Sequence, residues 1–181
     1  MKKIFLTENG SLKWDYYFMS LAKLSAMRSK DPTTKVGACI VSDSNHVISV
    51  GYNGMPKVVS EVSETQNIDN DKIFSWDRPK TKDDIKNSKY TYVVHAEANA
   101  IINANLTNSN IKPNSTIYIT HSPCFNCAKL IVQSKITRVV YANEYRNDSE
   151  EWESSLYILK SMGVELIKLE RDFDINITEK E

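Results

Sequence analysis

The sequence predicts a single α/β domain in which a mixed central sheet is covered by helices on both faces. Three observations carry that expectation. The chain has 181 residues, enough for one domain with a sizeable core. Its apolar pattern reads helix, hairpin, then alternating helix and strand, an order that combines antiparallel and parallel pairing. No apolar run approaches the roughly 18 residues of a membrane span, so the 41% hydrophobic content is available for a globular core.

Taken in order, Trp14, Tyr17, Phe18, Leu21, Leu24 and Ala26 recur at steps of three and four and predict an amphipathic helix over 14–27. Asp31-Pro32 ends it, because the residue before proline avoids the helical region. Residues 36–41 and 46–52 read as strands joined by the turn Asp43-Ser44-Asn45, a hairpin closed by Gly51-Tyr52-Asn53-Gly54-Met55-Pro56. Residues 57–90 are polar and weakly periodic, and read as an insertion, partly helical at best. An apolar strand over 91–94 then leads into a helix over 95–104. A strand over 116–120, a helix over 124–134, a strand over 138–142, a helix over 150–162 stopped by Gly163, and a strand over 164–169 complete the pattern. The last residues are polar and expected to fray.

Charge narrows the function classes. Lys and Arg total 23 against 23 Asp and Glu, so the basic excess of a protein that coats nucleic acid is missing, and neither nucleic acid nor membrane is an expected partner. Met1-Lys2-Lys3 gives a basic start, but Glu8 and Asn9 interrupt any apolar run, and no signal peptide is expected. Without export, the three cysteines, Cys39, Cys124 and Cys127, point to a reducing cytoplasm, with Cys-x-x-Cys serving metal or redox chemistry.

Two motifs bear that chemistry. His95-Ala96-Glu97 stands at a strand-to-helix boundary, and Pro123-Cys124-Phe125-Asn126-Cys127 follows a strand and opens a helix. Zinc accepts imidazole nitrogen and thiolate sulfur in a tetrahedral shell. Cysteines three apart share one face of a first helical turn, and a helix N-terminus favours the thiolate. His95, Cys124 and Cys127 are thus the expected ligands of one zinc ion, with a fourth position open to water. That donor set is formally neutral, so a base is needed beside it, and Glu97 is the candidate. Residues two apart on a helix point to nearly opposite sides, which places His95 at the helix entrance, before the geometry is helical. A thioredoxin-like redox pair would leave His95 and Glu97 unexplained. A structural four-ligand zinc site lacks a fourth ligand, since Cys39 reads as a buried strand residue and His46 and His121 as surface or lining residues. A zinc-stabilised binding module stays open as a non-enzymatic alternative.

H-x-E followed by P-C-x-x-C is the known signature of zinc nucleobase deaminases. The sequence resembles the deoxycytidylate (dCMP) deaminases of the cytidine deaminase-like superfamily. The matching stretches are 25–32, Lys35-Val36-Gly37-Ala38, Gly51 to Pro56, 95–101 and 122–131. The resemblance implies a three-layer α/β/α sandwich with a five-stranded sheet. It implies hydrolysis of dCMP to dUMP and ammonia, supplying dUMP for thymidylate synthesis, with Glu97 carrying protons between the attacking water, ring N3 and the departing amine. It further implies that Asn53 bonds the sugar hydroxyl, the backbone at Ala96 meets the base carbonyl, Ser122 lines the base pocket and Tyr145 contacts substrate. A nucleotide also needs a cation for its phosphate, and Arg28 and Lys30, where the first helix ends, are the candidates.

Relatives of this kind are commonly homohexamers activated by dCTP with Mg²⁺ and inhibited by dTTP. The Gly51 to Pro56 turn, with Gly51, Asn53 and Gly54, is the candidate effector region, because glycine lets backbone approach a triphosphate. The insertion lacks the cysteines of a second zinc site, so one zinc per chain is expected. Two enzymatic alternatives remain: a deaminase that accepts dCTP as well as dCMP, and a tRNA adenosine deaminase.

Overall fold

The structure, a computed structural model, describes residues 4–57, 70–79, 81, 84, 86–145 and 148–179, without the side chains of residues 70 and 71. Its elements follow in order: α1 (Trp14–Ala26), β1 (Gly37–Val41), β2 (Val47–Tyr52), α2 (Asn70–Ile73), α3 (Lys89–Tyr92), α4 (Ala96–Leu106), β3 (Thr116–His121), α5 (Phe125–Gln133), β4 (Arg138–Asn143), α6 (Glu150–Ser161) and β5 (Glu165–Lys168). The five strands form one mixed sheet in the order β2-β1-β3-β4-β5. β1 runs antiparallel to both β2 and β3, whereas β3, β4 and β5 are parallel, joined by crossover helices α5 and α6.

Strand alternation builds two cores. Ala38 and Ile40 of β1, Ile117 and Ile119 of β3 and Val139 of β4 face Ala96, Ala100, Ala128, Ile131 and Leu159 from α4, α5 and α6. Cys39, Val41, Tyr118, Val140 and Ala142 point to the other face, against Phe18, Met19 and Ala22 of α1. β1 is therefore buried along its whole length, as an apolar run without alternation requires. Each fully buried Phe, Ile or Leu contributes about 1.5–3 kcal/mol, so α1 is held chiefly by Phe18 and Met19.

Three local expectations are corrected. Residues 91–94 do not form a strand: 91 and 92 close the one-turn helix α3, and Val94 makes only an isolated bridge to Gly54. Part of the polar end expected to fray is docked. Phe173 packs its ring 6.0 Å from Phe5 and 5.7 Å from Tyr16, and Asp172 pairs with Lys23 at 2.7 Å. α1 stops at Ala26, and a turn over Met27, Arg28 and Ser29 precedes Asp31-Pro32. The rest stays within a residue or two of expectation, including Gly163 in the left-handed region, at φ 74°, just past α6. Within the insertion, 58–69, 80, 82–83 and 85 lie outside the described residues; the described part supplies the short helices α2 and α3.

Candidate active site

The motifs meet where α4 and α5 begin, beside the C-terminal end of β3. His95 caps α4 with extended backbone, φ −69° and ψ 155°, and Cys124 caps α5 in the same way, φ −73° and ψ 166°. The chain enters α4 under restraint, because Val94 and Gly54 exchange backbone hydrogen bonds of 2.9 and 3.1 Å. Nδ1 of His95 lies 3.5 Å from Sγ of Cys124 and 3.4 Å from Sγ of Cys127. The three ligand atoms all fall within 4.8 Å of one another, and among the described residues no other His, Cys, Asp or Glu joins the group.

The electrostatics of this donor set suit a cation. Its hydrogen bond with Cys127 is the chief cause that lowers the Cys124 thiol to about 4, helped by the His95 imidazole. The same hydrogen bond, together with burial, pushes Cys127 up. The hydrogen bond to Cys124 raises His95 to about 9. Three donors thus compete for protons in one small volume, and a soft divalent ion accepting one nitrogen and two sulfurs would displace those protons. Glu97, one residue into α4, is only 4% exposed. Burial pushes its carboxyl up while the nearby His95 pulls it down, and it is hydrogen-bonded to Cys127. A carboxyl with a raised pKa beside an ion site is a proton carrier suited to neutral pH.

A cavity of about 350 Å³ opens onto this cluster. Asn53, Ala96, Ser122 and Tyr145 all line it, as do His95, Glu97 and Cys124. Ser122 holds Tyr145: its hydroxyl accepts from the Tyr145 N–H at 2.8 Å. The Tyr145 ring stands at 88° to His121 with centroids 6.2 Å apart.

Arg28 and Lys30 are exposed and are not among the residues that line the cavity. The only Lys or Arg among the described lining residues is Lys89, which sequence reading left inside the insertion. Asp31, read only as a helix stop, lines the cavity too and pairs with Lys89 at 2.8 Å. His121 also lines it. Nothing in the pattern around Lys89 or Asp31 signals their pairing, which links positions 58 residues apart. Neither Gly51 nor Gly54 has positive φ. Gly51 owes its lack of a side chain to α4, since a Cβ there would lie 2.3 Å from the Ala96 carbonyl oxygen.

Cys39 is wholly buried in β1, where burial pushes its thiol up to about 12, and His46 is exposed. Both stay outside the cluster.

A cytidine deaminase-like sheet with an imidazole, two thiols and a buried carboxylate at two helix starts defines the class of hydrolytic zinc deaminases. Residues 12–143 match the family described as the cytidine and deoxycytidylate deaminase zinc-binding region, and the chain belongs to that family. It is 41% identical over 153 residues to the deoxycytidylate deaminase of Mus musculus and 40% identical to that of Homo sapiens; each match covers 84% of this chain and 78% of the relative. Among solved structures, the dCMP deaminase of cyanophage S-TIM5 in complex with dCMP and dUMP is similar, with TM-score 0.60 and 28% identity, covering 84% of this chain and 93% of that one.

Proposed function

We propose that the chain hydrolyses dCMP, with water, to dUMP and ammonia. The observation that carries this reading is the convergence of His95, Cys124 and Cys127 beside the buried carboxyl of Glu97 on one cavity. The names of the mouse, human and phage relatives support the substrate. His95, Cys124 and Cys127 would hold zinc, which supplies Lewis-acid activation of water. Glu97 takes a proton from the attacking water as oxygen bonds to C4, and delivers it to ring N3. It then carries the second proton to the exocyclic amine as the C4–N bond breaks and ammonia leaves. Asn53 and Ala96 orient the sugar and the base carbonyl, while Ser122 and Tyr145 enclose the base.

The dUMP formed is a substrate for thymidylate synthesis. Regulation by dCTP with Mg²⁺ and by dTTP near Gly51, Asn53 and Gly54, assembly as a homohexamer, and residence in a reducing cytoplasm extend the proposal; resemblance supports the first two, and the free state of Cys39, Cys124 and Cys127 fits the third. No helix among the described residues is long and apolar enough to cross a membrane. Ammonia release from dCMP, dCTP, CMP and deoxycytidine, with and without added dCTP, tests the proposal. We expect dCMP to give the highest kcat/KM. Equal turnover of deoxycytidine would replace this reading with a nucleoside deaminase.

A further inference from the structure

Asn53 is 5% exposed and almost fully committed to the protein. Its Oδ1 accepts from the Val36 N–H at 2.8 Å, and its Nδ2 donates to Asp31 Oδ2 at 3.3 Å and to the Thr34 carbonyl at 3.0 Å. The network fixes the amide orientation, because a flipped amide would set donor against donor at Val36 and acceptor against acceptor at Asp31. Both N–H groups are used. What Asn53 can offer the cavity is one remaining lone pair on Oδ1, an acceptor and nothing else.

Asp31 supplies one of the three bonds that hold that state, and Asp31 in turn is held by Lys89. The Lys89 ammonium donates to both carboxylate oxygens, at 2.9 and 2.8 Å, and to the Thr33 hydroxyl, which uses all three of its hydrogens. The two side chains are 5% and 3% exposed. Saturated in this way, Lys89 is not a free cation for a phosphate, although it lines the cavity. Burying two charges costs desolvation free energy that two apolar residues would not incur, so the stability such a pair adds is a weak account of its presence.

We propose that Lys89 is a positioning residue: through its buried ion pair with Asp31 it holds Asn53 as an acceptor-only contact, which selects a substrate carrying a sugar hydroxyl. The inference rests on the dCMP deaminase reading above. If the 4-amino group is the leaving group and sits at Glu97, the hydroxyl of the deoxyribose is the other hydrogen-bond donor of dCMP available to Asn53. An acceptor locked in place discriminates strongly, because a substrate without the donor leaves it unpaired. Without the Asp31 bond, Asn53 is held only by Val36 and Thr34, so it is less firmly placed and its selectivity falls.

The experiment compares kcat/KM for dCMP and for 2′,3′-dideoxycytidine monophosphate, which lacks the hydroxyl, at matched zinc content. Wild type is expected to prefer dCMP by about tenfold or more. Lys89→Met is expected to lose most of that preference, chiefly through KM for dCMP, and Lys89→Arg to retain it. Should Lys89→Met fail to fold, the apolar pair Asp31→Leu with Lys89→Met, which removes both buried charges and the Asn53 partner together, provides the same comparison. A role in stability alone would slow both substrates equally. An unchanged ratio in the folded variant, or no preference in wild type, overturns the proposal. Absence of any dCMP turnover by zinc-loaded wild type overturns the functional reading itself, and this one with it.

Discussion

Nδ1 of His95 and Sγ of Cys127 lie 3.4 Å apart, although 32 positions separate them in the chain. One residue caps α4 and the other sits in the first turn of α5. An ion shared between them therefore crosslinks two helices on the same face of the sheet. A ligand present at a hundred times its Kd stabilises the folded state by about 2.7 kcal/mol, and each kcal/mol moves the midpoint of a domain this size by about 2–4 °C. Chelation should then lower Tm by about 5–10 °C and abolish turnover. Cys127→Ala should show a lowered midpoint that chelator no longer changes. Calorimetry with and without chelator, beside elemental analysis for zinc, checks both; a wild-type midpoint indifferent to chelator would show that no ion bridges the helices.

Glu97, the proposed acid–base group, can be removed at nearly constant shape. Glu97→Gln keeps the volume and the buried position but cannot carry a proton. General acid–base catalysis contributes about 10²–10⁴-fold, and the proposed mechanism gives Glu97 more than one transfer, so kcat should fall by about 10³-fold or more. Zinc content and Tm should stay near wild type. Retention of a tenth of the activity would mean that another group moves the protons.

The legible parts of this molecule are local. The Trp14 to Ala26 periodicity, the hairpin and the two motif helices can be read from spacing, because each depends on residues within a few turns of one another. The extended geometry at His95 was also accessible, since His95 and Glu97 cannot share a face of a regular helix. Lys89 and Asp31 were not, because their pairing is a long-range contact between two loop-like stretches without periodicity. Residues 91–94 misled for a related reason. Their apolar side chains resemble a strand, but Ser88 caps a helical turn by accepting from the Tyr90 N–H, and Val94 finds only Gly54 as a bridge partner. Phe173 could not be read as docked, since the aromatic partners that receive it lie at the opposite end of the sequence.

Gly51 shows how closely the site depends on backbone fit. A Cβ at Gly51 would stand 2.3 Å from the Ala96 carbonyl oxygen and 2.4 Å from the Ala100 nitrogen, both backbone atoms of α4. Ser49 and Asn103 bind α4 to β2, with bonds of 2.7 Å to the Ala100 carbonyl and 2.8 Å to the Val50 carbonyl. A local shift of the helix would therefore strain these two bonds. Gly51→Ala should cost about 3 kcal/mol, the upper end of ordinary overpacking, and lower kcat by displacing Glu97. Gly54→Ala has nothing nearer than 4.0 Å and should stay within about 0.5 kcal/mol of wild type. Urea denaturation of the two variants measures the difference; equal midpoints would contradict the close approach.

Acid should unfold the chain through a few identifiable carboxylates. Burial alone would raise Asp31, but hydrogen bonds from Lys89 and from the Thr33 and Thr34 backbone hold it below its unperturbed 3.8. Asp15 is likewise held low against burial by Arg138 and Tyr118, and Asp172 by Lys23 and Asn143. A carboxylate whose folded pKa lies below its unfolded value contributes stability that is fully present above the unfolded value. That stability is lost as pH falls through the folded value. The urea midpoint should therefore be little affected by these groups between pH 7 and 5 and should fall below about pH 4. In Lys89→Met the sign at Asp31 reverses. With its cation gone, burial dominates and favours the protonated acid, so that variant should start from a lower midpoint at pH 7. It should then recover part of its deficit relative to wild type as pH drops toward 4, because protonation relieves the unpaired charge. Midpoints at pH 7, 5, 4 and 3 for both proteins test this, and a deficit that stays constant across the series would show that the Asp31 carboxylate does not depend on Lys89.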